Sequence, residues 1–207
     1  MAGQLIMANT FRGNAAVRRT RAEQGFTLIE VMISAVVMTV GLVSMLAVFS
    51  LALASTQTAQ EDMIAKQLAS QAMESIFTAR NTAQITWSQI QNVADGGIFV
   101  NGFAPVLDQG PDGLQGTADD LQSNPACPGP SKCLISPGPD GILGTADDVY
   151  WPLNNYSRQI VISPLNDANG NQYSSLRSVT VTIRYTTNTG TKAPKTYVMN
   201  AYISQYR

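Results

Sequence analysis

The chain contains no histidine, so neither a Ser-His-Asp nor a Cys-His arrangement can be assembled from it. Its two cysteines, Cys127 and Cys133, make a poor zinc site without histidine beside them. No glycine-rich phosphate loop precedes a helix, and the carboxylate pairs that can be drawn sit in turn-like sequence with no matched partner. These absences argue against an enzyme. Charged residues make up only 13% of the chain, and none falls between Val31 and Gln60. From residue 26 onward nine bases face thirteen acids, a net of −4, with the basic excess spread over predicted strands, which argues against nucleic-acid binding.

What is present begins with Gly25-Phe26-Thr27-Leu28-Ile29-Glu30. Residues 1–25 carry Arg12, Arg18, Arg19 and Arg21 against Glu23, net positive by three, and positive flanks stay cytoplasmic. The apolar run from Phe26 to Ala54 exceeds the roughly 20 residues that span a bilayer. A secretory signal places its small cleavage residue after a shorter apolar core, whereas Gly25 comes before this one. Cleavage there leaves the whole hydrophobic helix on a mature chain of 182 residues (207 minus 25) that starts at Phe26. Glu30 is the one acid in that run. A carboxylate at a membrane-helix centre costs roughly 2.5–3.5 kcal/mol, so such a group is kept where something pairs with it.

The segment GFTLIEVMISAVVMTVGLVSML resembles the N-terminus of type IV pilins and of type II secretion pseudopilins. The resemblance implies that a membrane prepilin peptidase cuts after Gly25, that Phe26 is then N-methylated, and that Glu30 pairs with the terminal amine of a neighbouring subunit. Many type IV pilins have a proline where this chain has Ala47, and Gly41 is the one helix-weakening residue nearby. A long leader and the segment AKQLASQAMESI are similar to minor pilins of the PilV type. The function this implies is a minor type IV pilin acting in pilus assembly or initiation and in adhesion. The alternatives are a minor pseudopilin of type II secretion or a filament-displayed, calcium-dependent adhesive module. Its partners would be other pilins or pseudopilins through the N-terminal helix, the peptidase and the inner-membrane assembly platform. The chain would sit in the bacterial inner membrane with a periplasmic C-terminal domain, then on the pilus at the cell surface.

Beyond the membrane run, Ala65, Leu68, Ala69, Ala72, Met73, Ile76 and Phe77 recur at helical spacing and predict that the helix continues over 56–80 with one apolar face. Arg158–Ser163, Ser178–Tyr185 and Thr196–Ser204 alternate and are rich in Val, Ile, Thr and Tyr, as strands are. Asn169-Gly170 and Asn188-Thr189-Gly190 are turn signals between them. The predicted fold is α+β: a long N-terminal transmembrane and amphipathic helix on a C-terminal antiparallel sheet, pilin-like, with an acidic loop insert. The predicted organisation is a leader at 1–25, a membrane or filament-core helix at 26–54, an amphipathic helix and connecting loop at 55–94, the insert at 95–149 and the sheet at 150–207.

The insert contains a repeat, GPDGLQGTADDL at 110–121 and GPDGILGTADDV at 138–149, which differ only at 114/142, 115/143 and 121/149. It holds eight acids and one base, a net of −7, whereas residues 150–207 net +5. Asp112, Asp119 and Asp120 in the first copy, and Asp140, Asp147 and Asp148 in the second, are candidate calcium ligands. A hard cation takes six to eight oxygens from carboxylates and carbonyls of a flexible loop. The competing reading is that these aspartates cap turns. Asp167 with Asn169 and Asn171 reads more simply as a hairpin turn. Cys127 and Cys133 lie between the copies, and an oxidising periplasm or surface predicts a disulfide there.

Overall fold

The computed structural model describes residues 25–187 and 194–206, so the basic leader and the Asn188-Thr189-Gly190 turn lie outside the described residues. One helix, α1, runs from Leu28 to Asn81 over 54 residues without a proline. Thr27 opens it as an N-cap: the Glu30 N–H donates to the Thr27 carbonyl at 3.1 Å and to its Oγ1 at 3.3 Å. In the apolar half, the hydroxyls of Ser34, Thr39 and Ser44 donate to carbonyls of the preceding turn. These three hydroxyls are satisfied within the helix, which suits a lipid or helix-bundle setting. The helix ends where Ala83 adopts φ 61° and the Gln84 N–H closes on the Ala79 carbonyl.

The chain divides into two compact units, Met1–Val48 and Phe49–Arg207. In the first, every described residue is exposed. The second has a core. Ala65, Leu68, Ala69, Ala72, Met73, Ile76 and Ala79 of α1 are buried, with Phe77 half-covered beside them, so the predicted face is the packed one. Its four alanines let a sheet approach the helix closely, while Leu68, Met73 and Ile76 supply the apolar area, each worth about 1.5–3 kcal/mol on burial.

The sheet has four antiparallel strands in the order β1-β4-β5-β6: β1 Ala104–Pro105, β4 Tyr156–Asn166, β5 Gln172–Thr186 and β6 Pro194–Ser204. Strict alternation on β5 sends Val179, Val181, Ile183 and Tyr185 inward, opposite Ser178, Thr180, Thr182 and Arg184. Tyr156 and Tyr185 stack at 5.4 Å, and the Tyr185 hydroxyl donates to Asp62 Oδ1 at 2.6 Å, tying strand to helix. The outer edge of β4 is covered by β1 and then by the buried Asn92 side chain. Asn92 donates to the Ile160 carbonyl and accepts from the Ile162 N–H, both at 2.8 Å, as a neighbouring strand would.

The three predicted strands are present and longer by a few residues at their ends. The stretch 95–149 is more than a loop. It contributes β1 to the main sheet, and β2 (Cys133–Ser136) pairs with β3 (Val149–Pro152) as a separate hairpin. Glycine and proline punctuation hid both pairings. β1 is two residues long and gets its partner from residues 157–158, far along the chain.

Candidate functional site

The N-terminal site is built by the absence of packing. Gly25 to Thr27 precede the helix and are exposed, with Phe26 81% accessible, so the bond after Gly25 is open to a protease. A side chain at Gly25 would meet nothing within 4 Å, so the chain's own fold places no demand for glycine there. Glu30 lies in the first turn of α1, where the helix dipole favours an anion. Large apolar side chains from Phe26 to Leu53 are all at least half exposed, and the helix is long and apolar enough to cross a membrane.

The second candidate, the aspartate repeat, folds the same way twice. Each copy is closed at its base by an antiparallel pairing, Asp108 with Leu121 and Ser136 with Val149. In the first, the Leu114 N–H donates to Asp112 Oδ1 and the Gly116 N–H to Asp120 Oδ2, both at 2.8 Å. In the second, the Ile142 N–H donates to Asp140 Oδ1 at 2.8 Å and the Gly144 N–H to Asp148 Oδ2 at 2.7 Å. Thr117 and Thr145 donate their hydroxyls to Asp119 and Asp147 at 2.8 and 2.6 Å, and these bonds are the largest cause holding both carboxyls below the usual carboxylate range. Gly110 and Gly138 sit where any side chain would strike the backbone and carboxylate of Asp119 and Asp147, so glycine is required at both.

Every one of the six candidate aspartates therefore accepts hydrogen bonds within its own loop. The Asp112 N–H also donates to Asp119 Oδ2 at 3.2 Å, as the Asp140 N–H does to Asp147 Oδ2 at 3.3 Å. Among the described residues no three acidic side chains converge as they would around a metal ion. A bound cation would have two carboxylates per loop and would need carbonyls or water for the remainder.

The copies part company in their surroundings. In the first, Asp120 forms a buried ion pair with Arg158 of β4 at 2.8 Å, and Arg158 also donates to Gln115. Burial pushes the Asp120 carboxyl up and the Arg158 guanidinium down, while their mutual attraction opposes both shifts. Leu114, Gln115 and Thr117 are buried with them. In the second copy the matching Ile142 and Leu143 are each 61% exposed, and no described cation pairs with Asp148. Arg158 and Gln115 were not singled out from sequence. The signal available was the replacement of Gln115 by Leu143 between otherwise matched loops.

Between the copies, Cys127 and Cys133 form a disulfide with Cα atoms 5.8 Å apart, and Cys133 begins β2. Lys132 beside it pairs with Asp108 at 3.2 Å. The bridge thus fixes the junction of the first loop with the hairpin that carries the second.

An exposed apolar helix preceded by an exposed glycine, with one acid in its first turn, has the form of a prepilin N-terminus. Residues 20–55 match the family described as the prokaryotic N-terminal methylation motif, so the chain carries the N-terminus of a type IV pilin-like prepilin. No curated protein and no solved structure matches the chain.

Proposed function

We propose that this chain is a minor type IV pilin of the PilV-like kind, cut after Gly25 and methylated on Phe26. It is held in the inner membrane with its second unit in the periplasm, then built into the pilus to initiate assembly or modify adhesion. The observation that carries the reading is a 54-residue helix whose apolar half buries nothing within the chain yet contains a carboxylate. In a bundle of like helices that apolar surface packs, and Glu30 gains the terminal amine of a neighbour, so two groups costly in lipid become tolerable as a pair. Gly41 supports the same reading: a side chain there would meet nothing, and a helical glycine costs about 1 kcal/mol relative to alanine. Close approach of another helix gives it a use. No catalytic role is proposed.

Replacing Glu30 with alanine leaves cleavage intact and lowers incorporation into sheared filaments; normal incorporation would overturn the pairing. Loss of surface pilin in a strain lacking the chain favours the pilus reading. Unchanged pilin with reduced enzyme secretion favours the pseudopilin alternative.

A calcium-dependent adhesive role is a second proposal, favoured by two aspartate pairs, Asp112 with Asp119 and Asp140 with Asp147, each drawn together by a bond from the backbone N–H of the first to the carboxylate of the second. Two anions so close are relieved by a cation between them. Millimolar calcium should then raise the thermal midpoint and the protease resistance of residues 108–149. The gain should vanish when Asp112, Asp119, Asp140 and Asp147 are replaced together. No response to calcium removes this proposal.

A further inference from the structure

The two edges of the main sheet are treated differently. The outer edge of β4 is taken up by β1 and by the Asn92 side chain, and its register with β5 shifts between Pro164 and Asn166. The outer edge of β6 has no strand beside it among the described residues, and its pairing with β5 runs unbroken from Pro194 to Ser204. Exposed edges are ordinarily blunted by charge, proline, a bulge or shortness. Pro194 and Lys195 do this at the first two positions only. Residues 196–204 carry no charge, glycine or proline.

The phase of the ladder shows which backbone groups are open. The Gln205 N–H donates to the Ser175 carbonyl at 2.8 Å, and Leu176 lies opposite Ser204, so 205 and 175 form a hydrogen-bonded pair. Such pairs recur every second residue, which turns the odd-numbered positions of β6 toward β5. The N–H and C=O groups of Thr196, Val198, Asn200 and Tyr202 therefore point away from the sheet, and no described group bonds them. Pro194 falls on the same phase, where its missing N–H costs the ladder nothing. The core thins at this edge too. Val179, Val181 and Ile183 of β5 are fully buried, whereas Tyr197, Met199 and Ala201 of β6 are half-covered. A groove of about 660 Å³ opens beside them, lined by Met63 and Lys66 of α1 with Tyr185, Lys195 and Tyr197.

Backbone groups that repeat at every second residue match an extended strand. We propose that β6 accepts a strand from a different pilin of the same filament and so extends the sheet. The contact rests on the filament reading above, in which the neighbours of a minor subunit are other pilins. The added strand lies about 4.8 Å outside β6, so its inward side chains reach the groove and cover Tyr197 and Met199. Those side chains are apolar, with an acid toward Lys66, which makes no salt bridge among the described residues.

The test uses the full chain in its own membrane and filaments, with a photo-reactive side chain at Asn200, exposed midway along the edge. The expected adduct joins this chain to a pilin of different sequence and maps to a strand of that pilin. Val198→Pro removes one outward N–H, and Val198→Lys sets a charge on the edge, while both leave the bonds to β5 in place. Each should lower the adduct about tenfold, the equivalent of roughly one hydrogen bond. An intact Cys127–Cys133 bridge and a protease-resistant second unit show that each variant has folded. An adduct of twice the chain mass, adducts only to lipid, or a pilin adduct that neither variant lowers overturns the proposal. Recovery of the chain in sheared filaments separates the two failures. A chain present in filaments without the adduct refutes the contact alone, while a chain with Glu30 intact that never enters filaments refutes the reading beneath it.

Discussion

The two aspartate loops share nine of every twelve residues in order, and almost every internal hydrogen bond, yet they end in opposite environments. One is welded to the sheet through Asp120, Arg158 and a buried leucine; the other caps a projecting hairpin. The loop geometry is thus local, written by glycines and by aspartates that accept from N–H groups two and four residues away. The role is non-local, decided by whether a distant strand supplies a cation and a socket. Duplication copied the first and could not copy the second, since β4 has one Arg158.

The sharpest way to break that comparison is to remove the receptor. Arg158→Ala leaves Asp120 buried without its counter-charge and should destabilise the second unit by about 3–5 kcal/mol. Asp148→Ala in the other copy loses one loop hydrogen bond, about 1 kcal/mol. The same contrast holds for the apolar pair: Leu114→Ala costs about 2–5 kcal/mol and Ile142→Ala no more than about 0.5. Denaturant unfolding of the full chain in detergent, followed by the fluorescence of Trp87 and Trp151, measures all four. Equal costs at Asp120's and Asp148's loops would erase the distinction.

Much of this molecule was legible in the sequence because its signals are local. The apolar run, Gly25 before it and Glu30 within it need no tertiary context, and the helical face from Ala65 to Ile76 and the alternation of β5 are periodic patterns. The turn-capping reading of the aspartates was also within reach, since each bond spans only a few residues. The rest was hidden by distance. Arg158 reads as an ordinary strand charge until it is seen beside Asp120, and Asn92 reads as a loop residue until it stands in for a strand along β4. A composition-based boundary at residue 149 cut through the β2–β3 hairpin, because proline and glycine dominate its flanks.

A finer test compares one glycine in each copy. Gly116 and Gly144 both have left-handed backbones, φ 87° and 91°, so alanine is strained by about 1–2 kcal/mol at either. At Gly116 the added methyl also overlaps the Ile160 side chain, whereas at Gly144 it meets nothing. Gly116→Ala should therefore cost about 2–4 kcal/mol in total, the excess being overpacking against the sheet. Gly144→Ala should stay near the strain alone. Thermal unfolding of both variants reads the difference, and a double variant Gly116→Ala with Ile160→Val should recover part of it. Equal losses would mean that the first loop is not seated on β4.

The smallest effect is on pH, and it differs in sign between buried Asp120 and the two threonine-bonded aspartates, Asp119 and Asp147. Asp147 is held below the ordinary carboxylate value, first by the Thr145 hydroxyl and then by the Asp140 N–H. Its contribution is complete above the unfolded value near 3.8 and is lost as pH falls through the lower folded value. Asp119 follows the same rule through Thr117. Asp120 is shifted the other way by burial, so its ionised form carries a penalty that fades as pH falls from its raised folded value toward 3.8. Carboxyl-carbon NMR titration of the labelled aspartates should accordingly show Asp119 and Asp147 moving together at the acid end, with Asp120 protonating first. Arg158 opposes the rise at Asp120, so Arg158→Ala should push that titration higher still while leaving Asp147 in place. An Asp120 that titrates alongside Asp147 would mean that water reaches the Arg158 pair, and that the two loops differ less in burial than in sequence.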